Sequence, residues 1–153
     1  MIQTRFAGIA DAKTRIGEEI AVAEWLEIDQ ARVNAFADAT GDHQWIHVDA
    51  ERARRESPFG GPIAHGFLTL SLLAKFAGEC IAVDGVRLAV NYGLNRVRFA
   101  SPVRVGARIR ARFVLGAVDD IPGGAQIVWQ ATVEIEGGAK PACVAEMLTR
   151  WYL

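Results

Sequence analysis

Cysteine is scarce: Cys80 and Cys143 are the only two in 153 residues, and neither stands in a Cys-x-x-Cys or Cys/His array. That spacing excludes a disulfide framework and a thiolate metal site, and both residues read as buried, reduced thiols of a cytosolic protein. An excess of one charge is also lacking. The formal net charge is −1, so no basic field exists to hold nucleic acid non-specifically, although the plentiful arginines leave room for a local patch. No apolar run can cross a bilayer, because the most apolar one, Phe67 to Phe76, is too short and carries Lys75. The first residues contain no signal-like apolar segment, and we expect a soluble, cytoplasmic protein. Linkers, repeats and low-complexity tracts are missing too. With 51% hydrophobic and 23% charged residues, the chain reads as one folded domain, residues 1–153.

What is present is strongly patterned. Val33, Phe36 and Ala37 recur at helical spacing between Asp29, a plausible N-cap, and Gly41, a plausible stop. Asp42 to Asp49 then reads as a loop, followed by a short helix over 50–55 with Arg52, Arg54 and Arg55 in solvent. From Gly66 to Glu79 apolar residues occupy nearly every face, which predicts a buried helix. The C-terminal half changes period. Ile127, Trp129, Ala131, Val133 and Ile135 alternate with more polar residues, the pattern of a half-buried strand, and Arg108, Arg110 and Arg112 alternate with Ile109, Ala111 and Phe113. The arginine stripe reads as the exposed face of its strand. Residues 87–99 and 142–152 supply further strands, with turns at Ile121-Pro122-Gly123-Gly124 and Gly137-Gly138. The class is α+β: an antiparallel sheet curved around one long helix.

Ionisable side chains gather between Phe36 and Asp49. Asp42 and His47, five residues apart in a loop, can aim at one small volume, share a water and move its proton. The bland alternative makes Asp42 a turn residue and His47 a satisfied core histidine. His43 and His47, with Asp42 and Asp49 nearby, also raise a metal site, but Gly41 ends the helix before them and no third strong ligand is evident, so no metal is expected. At Ala64-His65-Gly66 the buried helix begins. Its first amides lack internal partners and favour negative charge, so the Gly66 N–H can stabilise the enolate oxygen of a thioester. Alternatively Gly66 merely permits close packing and His65 caps the helix.

The run from Phe36 to His47, followed by Ile63-Ala64-His65-Gly66-Phe67-Leu68-Thr69-Leu70, resembles the MaoC-like (R)-specific enoyl-CoA hydratases, and within them the nodulation protein N-like branch. The resemblance continues through Asn91 to Phe99, Pro102-Val103 and Gly106. It implies a hot-dog fold, catalytic Asp42 and His47, and Gly66 as the oxyanion amide. It also implies a substrate pocket for which Gln44, Trp45, Ile63, Ala64, His65, Tyr92, Asn95 and Arg98 are the candidates. Two departures stand out. Gln44-Trp45 replaces the usual Asn-Pro between the acid and the histidine, and Ser71 is not assigned the role of a helix serine found in some members.

The reaction so implied is reversible hydration of a trans-2-enoyl-CoA, or of the acyl carrier protein thioester, to the (3R)-hydroxyacyl form, without metal or redox cofactor. Arg52, Arg54, Arg55, Arg96, Arg98 and Arg104 are candidates for the CoA phosphates. A homodimer joined through the sheet is implied; neither nucleic acid nor membrane is an expected partner. Two other functions compete: a thioesterase on the same fold, and a non-catalytic acyl-CoA-binding or assembly subunit. Short-to-medium linear acyl chains are the expected substrates.

Overall fold

Period-two alternation in the C-terminal half builds the sheet, and the apolar segment before it supplies the helix that the sheet covers. The computed structural model describes residues 1–153. Its elements are β1 (Thr4–Phe6), α1 (Ile9–Thr14), β2 (Glu19–Val22), β3 (Leu26–Glu27), α2 (Gln30–Thr40), α3 (Trp45–Val48), α4 (Ala50–Glu56), α5 (Gly66–Cys80), β4 (Ile81–Val83), β5 (Leu88–Arg98), β6 (Arg108–Ile121), β7 (Gly124–Ile135) and β8 (Cys143–Tyr152). The main sheet runs β2-β6-β7-β8-β5, with β3 also on β6, and every pairing in it is antiparallel. A small parallel pair, β1 with β4, tethers the N-terminus beside the end of α5. The α+β expectation is met.

On β7, Ile127, Trp129, Ala131 and Val133 are buried, and on β6, Ile109, Ala111, Phe113 and Leu115 are buried beside them. Facing them across the core is α5, through Leu68, Leu72, Leu73 and Phe76. It packs against β2, β6, β7 and β8. Truncating one such core side chain costs about 2–5 kcal/mol, because the surroundings close only partly over the cavity. Both cysteines are free and buried, and burial alone pushes the Cys143 thiol up to about 11, so it is an unreactive packing residue.

Three local expectations change. The segment 42–49 is not all loop: the Gln44 carbonyl accepts from the His47 N–H at 3.0 Å and the Trp45 carbonyl from the Asp49 N–H at 3.0 Å, closing the single turn of α3. Nor is α5 covered on every side, since Phe67 is 67% exposed and Ser71, Ala74 and Gly78 lie on the same open flank. The arginine stripe of β6 is paired rather than simply solvated. Arg108 meets Glu136, Arg110 meets Glu134, and Arg112 grips Glu19 with two bonds of 2.9 Å.

Candidate active site

Asp29 accepts a hydrogen bond from the Arg32 amide at 2.8 Å, so α2 starts where its cap residue predicts. It ends at Gly41, whose φ of 78° is left-handed and open to glycine at little cost. That reversal throws Asp42 and α3 back towards the start of α5. His47 on α3 is held from two sides. Its main-chain carbonyl accepts from Gln30 Nε2 at 2.8 Å, and its ring Nδ1 lies 2.7 Å from the Ile63 carbonyl.

A carbonyl can only accept, so Nδ1 of His47 carries the proton and Nε2 keeps its lone pair. The same logic fixes His65: Nε2 donates to the main-chain carbonyl of Asp42 at 2.9 Å, leaving Nδ1 buried without a protein partner. The two imidazoles stack, with centroids 3.8 Å apart, and Phe36 lies against the other ring at 4.9 Å from His65. His47 is 6% exposed and His65 2%. Burial holds the His47 imidazolium below its ordinary pKa. The Ile63 carbonyl opposes that, His65 adds to it, and the Asp42 carboxylate opposes it again. The result is a neutral imidazole with one free basic nitrogen beside a solvent-facing carboxylate.

Gly66 is the first residue of α5, so its amide has no intrahelical acceptor. A Cβ there would sit 2.9 Å from Cδ2 of Phe99, so the close approach that requires glycine is made by the Phe99 ring. Phe99 in turn meets Phe67 edge-on at 6.0 Å. Beside them opens a mostly apolar cavity of about 290 Å³, lined by Ile63, Ala64, Gly66, Thr69 and Phe99 among others.

Asp42, His47, His65 and Gly66 are thus drawn together by one loop and one helix start, and Ile63 and Ala64 line the adjoining cavity. Gln44 stands at the N-cap position of α3, its main-chain N–H donating to Asp42 Oδ1 at 3.3 Å, and Trp45 lies under the Arg52 guanidinium at 4.3 Å. Tyr92, Asn95 and Arg98 fall on β5 instead. Tyr92 faces a groove with Leu70, Ser71 and Met147, Asn95 bonds Glu146 at 2.6 Å, and Arg98 bonds the Val97 carbonyl at 2.7 Å. Ser71 bonds the Phe67 carbonyl. Sequence reasoning missed Gln30, Thr69 and Phe99; only the helical spacing of Gly66 and Thr69 hinted at one of them.

The metal alternative takes a different form from the one the sequence raised. His43 turns outward and pairs with Asp38 at 2.8 Å. Asp42, His47 and His65 each bring a ligand atom within 4.8 Å of the others, a donor set a divalent ion would accept. Each imidazole, however, already commits one nitrogen to a main-chain carbonyl, which leaves it a single nitrogen to offer an ion.

Residues 11–138 match the MaoC like domain family. The chain is 53% identical to 3-hydroxyacyl-thioester dehydratase Z of Mycobacterium tuberculosis, over 95% of this chain and 97% of that one. It is 50% identical to nodulation protein N of Rhizobium leguminosarum bv. viciae, over 92% and 89% of the two chains. Among solved structures, the (R)-hydratase from A. caviae superposes with a TM-score of 0.67 at 25% identity, covering 86% of this chain and 95% of that one. The fold is the hot dog.

Proposed function

The chain belongs to the family of MaoC-like domains, and we propose that it is a hydro-lyase interconverting trans-2-enoyl and (3R)-3-hydroxyacyl thioesters. The observation that carries this reading is the fixed tautomer of His47. Ile63 holds Nδ1–H, so the free Nε2 and the Asp42 carboxylate are both acceptors in a cluster with His65, the residue before the free Gly66 amide. One water can donate one hydrogen to each and keep a lone pair for carbon. The thioester carbonyl accepts from the Gly66 N–H, which draws electron density from Cβ. Water oxygen bonds to Cβ as its proton passes to Nε2 of His47, and the alkene electrons move onto the thioester oxygen. The enolate then collapses, and the imidazolium N–H protonates Cα. Positioned acid/base groups contribute about 10²–10⁴ in rate and one oxyanion donor about 10²–10³. The chemistry requires no metal or redox cofactor, since the thioester itself makes the double bond electrophilic.

The dehydratase name of the Mycobacterium tuberculosis relative supports the reaction, and the (R)-hydratase name of the A. caviae structure supports its stereochemistry. We further propose a homodimer formed over β5. That edge strand leaves Leu88, Val90, Tyr92 and Leu94 exposed, and the same flank carries Phe67 and Phe99.

Product analysis tests the reaction. Crotonyl-CoA should yield (3R)-hydroxybutyryl-CoA with its thioester intact. Free thiol release, with no hydroxyacyl product, would transfer the assignment to a thioesterase.

A further inference from the structure

Of the three arginines on α4, two are satisfied within the helix. Arg52 bonds Glu56 at 2.9 Å, and Arg55 bonds Glu51 at 3.2 Å and Glu56 at 3.3 Å. Arg54 forms no such ion pair. It lines a cavity of about 390 Å³ whose wall also holds Arg104, Gln30, Gly60 and Gly61, and no carboxylate. Arg104 likewise has no acidic partner; its Nη2 donates to the Gly60 carbonyl at 2.9 Å. The loop is shaped around that guanidinium. Gly60 has a φ of +73°, and a Cβ on Gly61 would lie 3.3 Å from Arg104 Nη2. Two guanidinium groups, with most of their N–H donors unspent, therefore share one cavity without a counter-charge, a situation that favours a bound anion.

The cavity sits directly behind the active site. Gln30 on its wall holds the His47 carbonyl at 2.8 Å, and Arg104 pairs across an antiparallel bridge with Ile63, whose carbonyl holds the His47 ring. From Gly61 to Gly66 the chain can span at most about 17 Å, a distance an extended pantetheine arm covers. We propose that Arg54 and Arg104 form a phosphate subsite for the carrier end of the thioester substrate. This rests on the hydro-lyase reading for its substrate and adds which residues hold the charged end. The ligand chemistry is a phosphate ester joined to the pantetheine arm, whether it belongs to CoA or to a phosphopantetheine prosthetic group.

Three substrates and two variants test it. Crotonyl-CoA, crotonyl-phosphopantetheine and crotonyl-pantetheine are compared on wild type, Arg54→Ala and Arg104→Ala. For each variant KM for crotonyl-CoA should rise about tenfold, with kcat nearly constant, while the phosphate-free substrate is handled as by wild type. An equal rise with crotonyl-phosphopantetheine places the recognised phosphate at the end of the arm and supports the subsite, whereas a rise confined to crotonyl-CoA places it on the nucleotide and overturns it. Equal losses on crotonyl-pantetheine, or no change on any substrate, would overturn it. Calorimetry with CoA itself separates this claim from the reaction. CoA binding that weakens about tenfold in each variant upholds the subsite even in a chain that hydrates nothing, whereas a wild type that binds no CoA refutes it.

Discussion

β7 and β5 belong to one sheet and are nearly equal in length, 12 and 11 residues, yet they meet opposite environments. On β7 every second residue from Ala125 to Val133 is buried under α5. On β5 every residue but the half-buried Val97 is exposed, and the facing flank of α5, with Phe67, Ser71 and Ala74, is open as well. Alternation needs one face of the strand to be covered, and β7 has its cover within the chain. β5 has apolar side chains but no cover, which is the composition of an edge that expects a partner. The acid/base cluster sides with β7: Asp42, His47, His65 and Gly66 are all supplied and held by one chain. Phe99, just beyond β5 and packed on Gly66, is where the finished region and the unfinished one touch.

Among changes that leave Asp42 and His47 in place, the largest effects should come from that point of contact. Gly66→Ala drives a methyl group into Phe99, and kcat/KM should fall about 100-fold. Adding Phe99→Ala should recover part of the loss, and full activity of the single variant would show that the ring is not fixed. Next in size is the contrast between strands. Ile127→Ala on β7 should destabilise by about 2–5 kcal/mol in a denaturant titration. Val90→Ala on β5 should cost under about 1 kcal/mol at dilutions where the protein is monomeric; equal losses would erase the distinction. Leu94→Arg should shift the protein towards monomer in sedimentation velocity while its circular dichroism stays native, and an unchanged dimer would place the interface elsewhere.

The smallest effect is on pH. Burial holds the folded His47 pKa below its ordinary value of 6.5, so the unfolded chain binds more protons as pH drops through 6.5. Stability contributed by neutral His47 is complete above that pH and is lost below it. The acid limb of kcat/KM should likewise fall at a pH below 6.5, the ordinary value. His47→Gln should flatten the acid-side loss of stability; an identical slope in both proteins would mean that other groups carry it.

Much of this was legible in the residues, where a local signal and a tertiary cover agree. Asp29 and Gly41 bounded α2 because caps act locally, and Ile127 to Val133 announced β7 because one face of that strand is buried. α3 was not legible, since one turn has too few residues to show a period. β5 lost its alternation for two reasons: register shifts between Asn91 and Gly93 and between Leu94 and Arg96, and the lack of a covered face. The short β1, β2 and β3 carried no period at all. In the site, Asp42, His47 and Gly66 could be named from motif order. The stacking of His65 on His47, the clamp from Gln30 and the Phe99 ring over Gly66 could not, because each joins residues distant in the chain. Arg54 differs from Arg52 and Arg55 only in where the fold aims it, which no spacing within 50–56 discloses.

The most direct test of the acid/base account is the rate of crotonyl-CoA hydration by wild type beside Asp42→Asn and His47→Gln, each with its fold checked by thermal melting. We predict turnover by wild type and losses of about 10²–10⁴ in kcat for each variant. Wild-type rates in both folded variants would contradict the placement of the chemistry on Asp42 and His47.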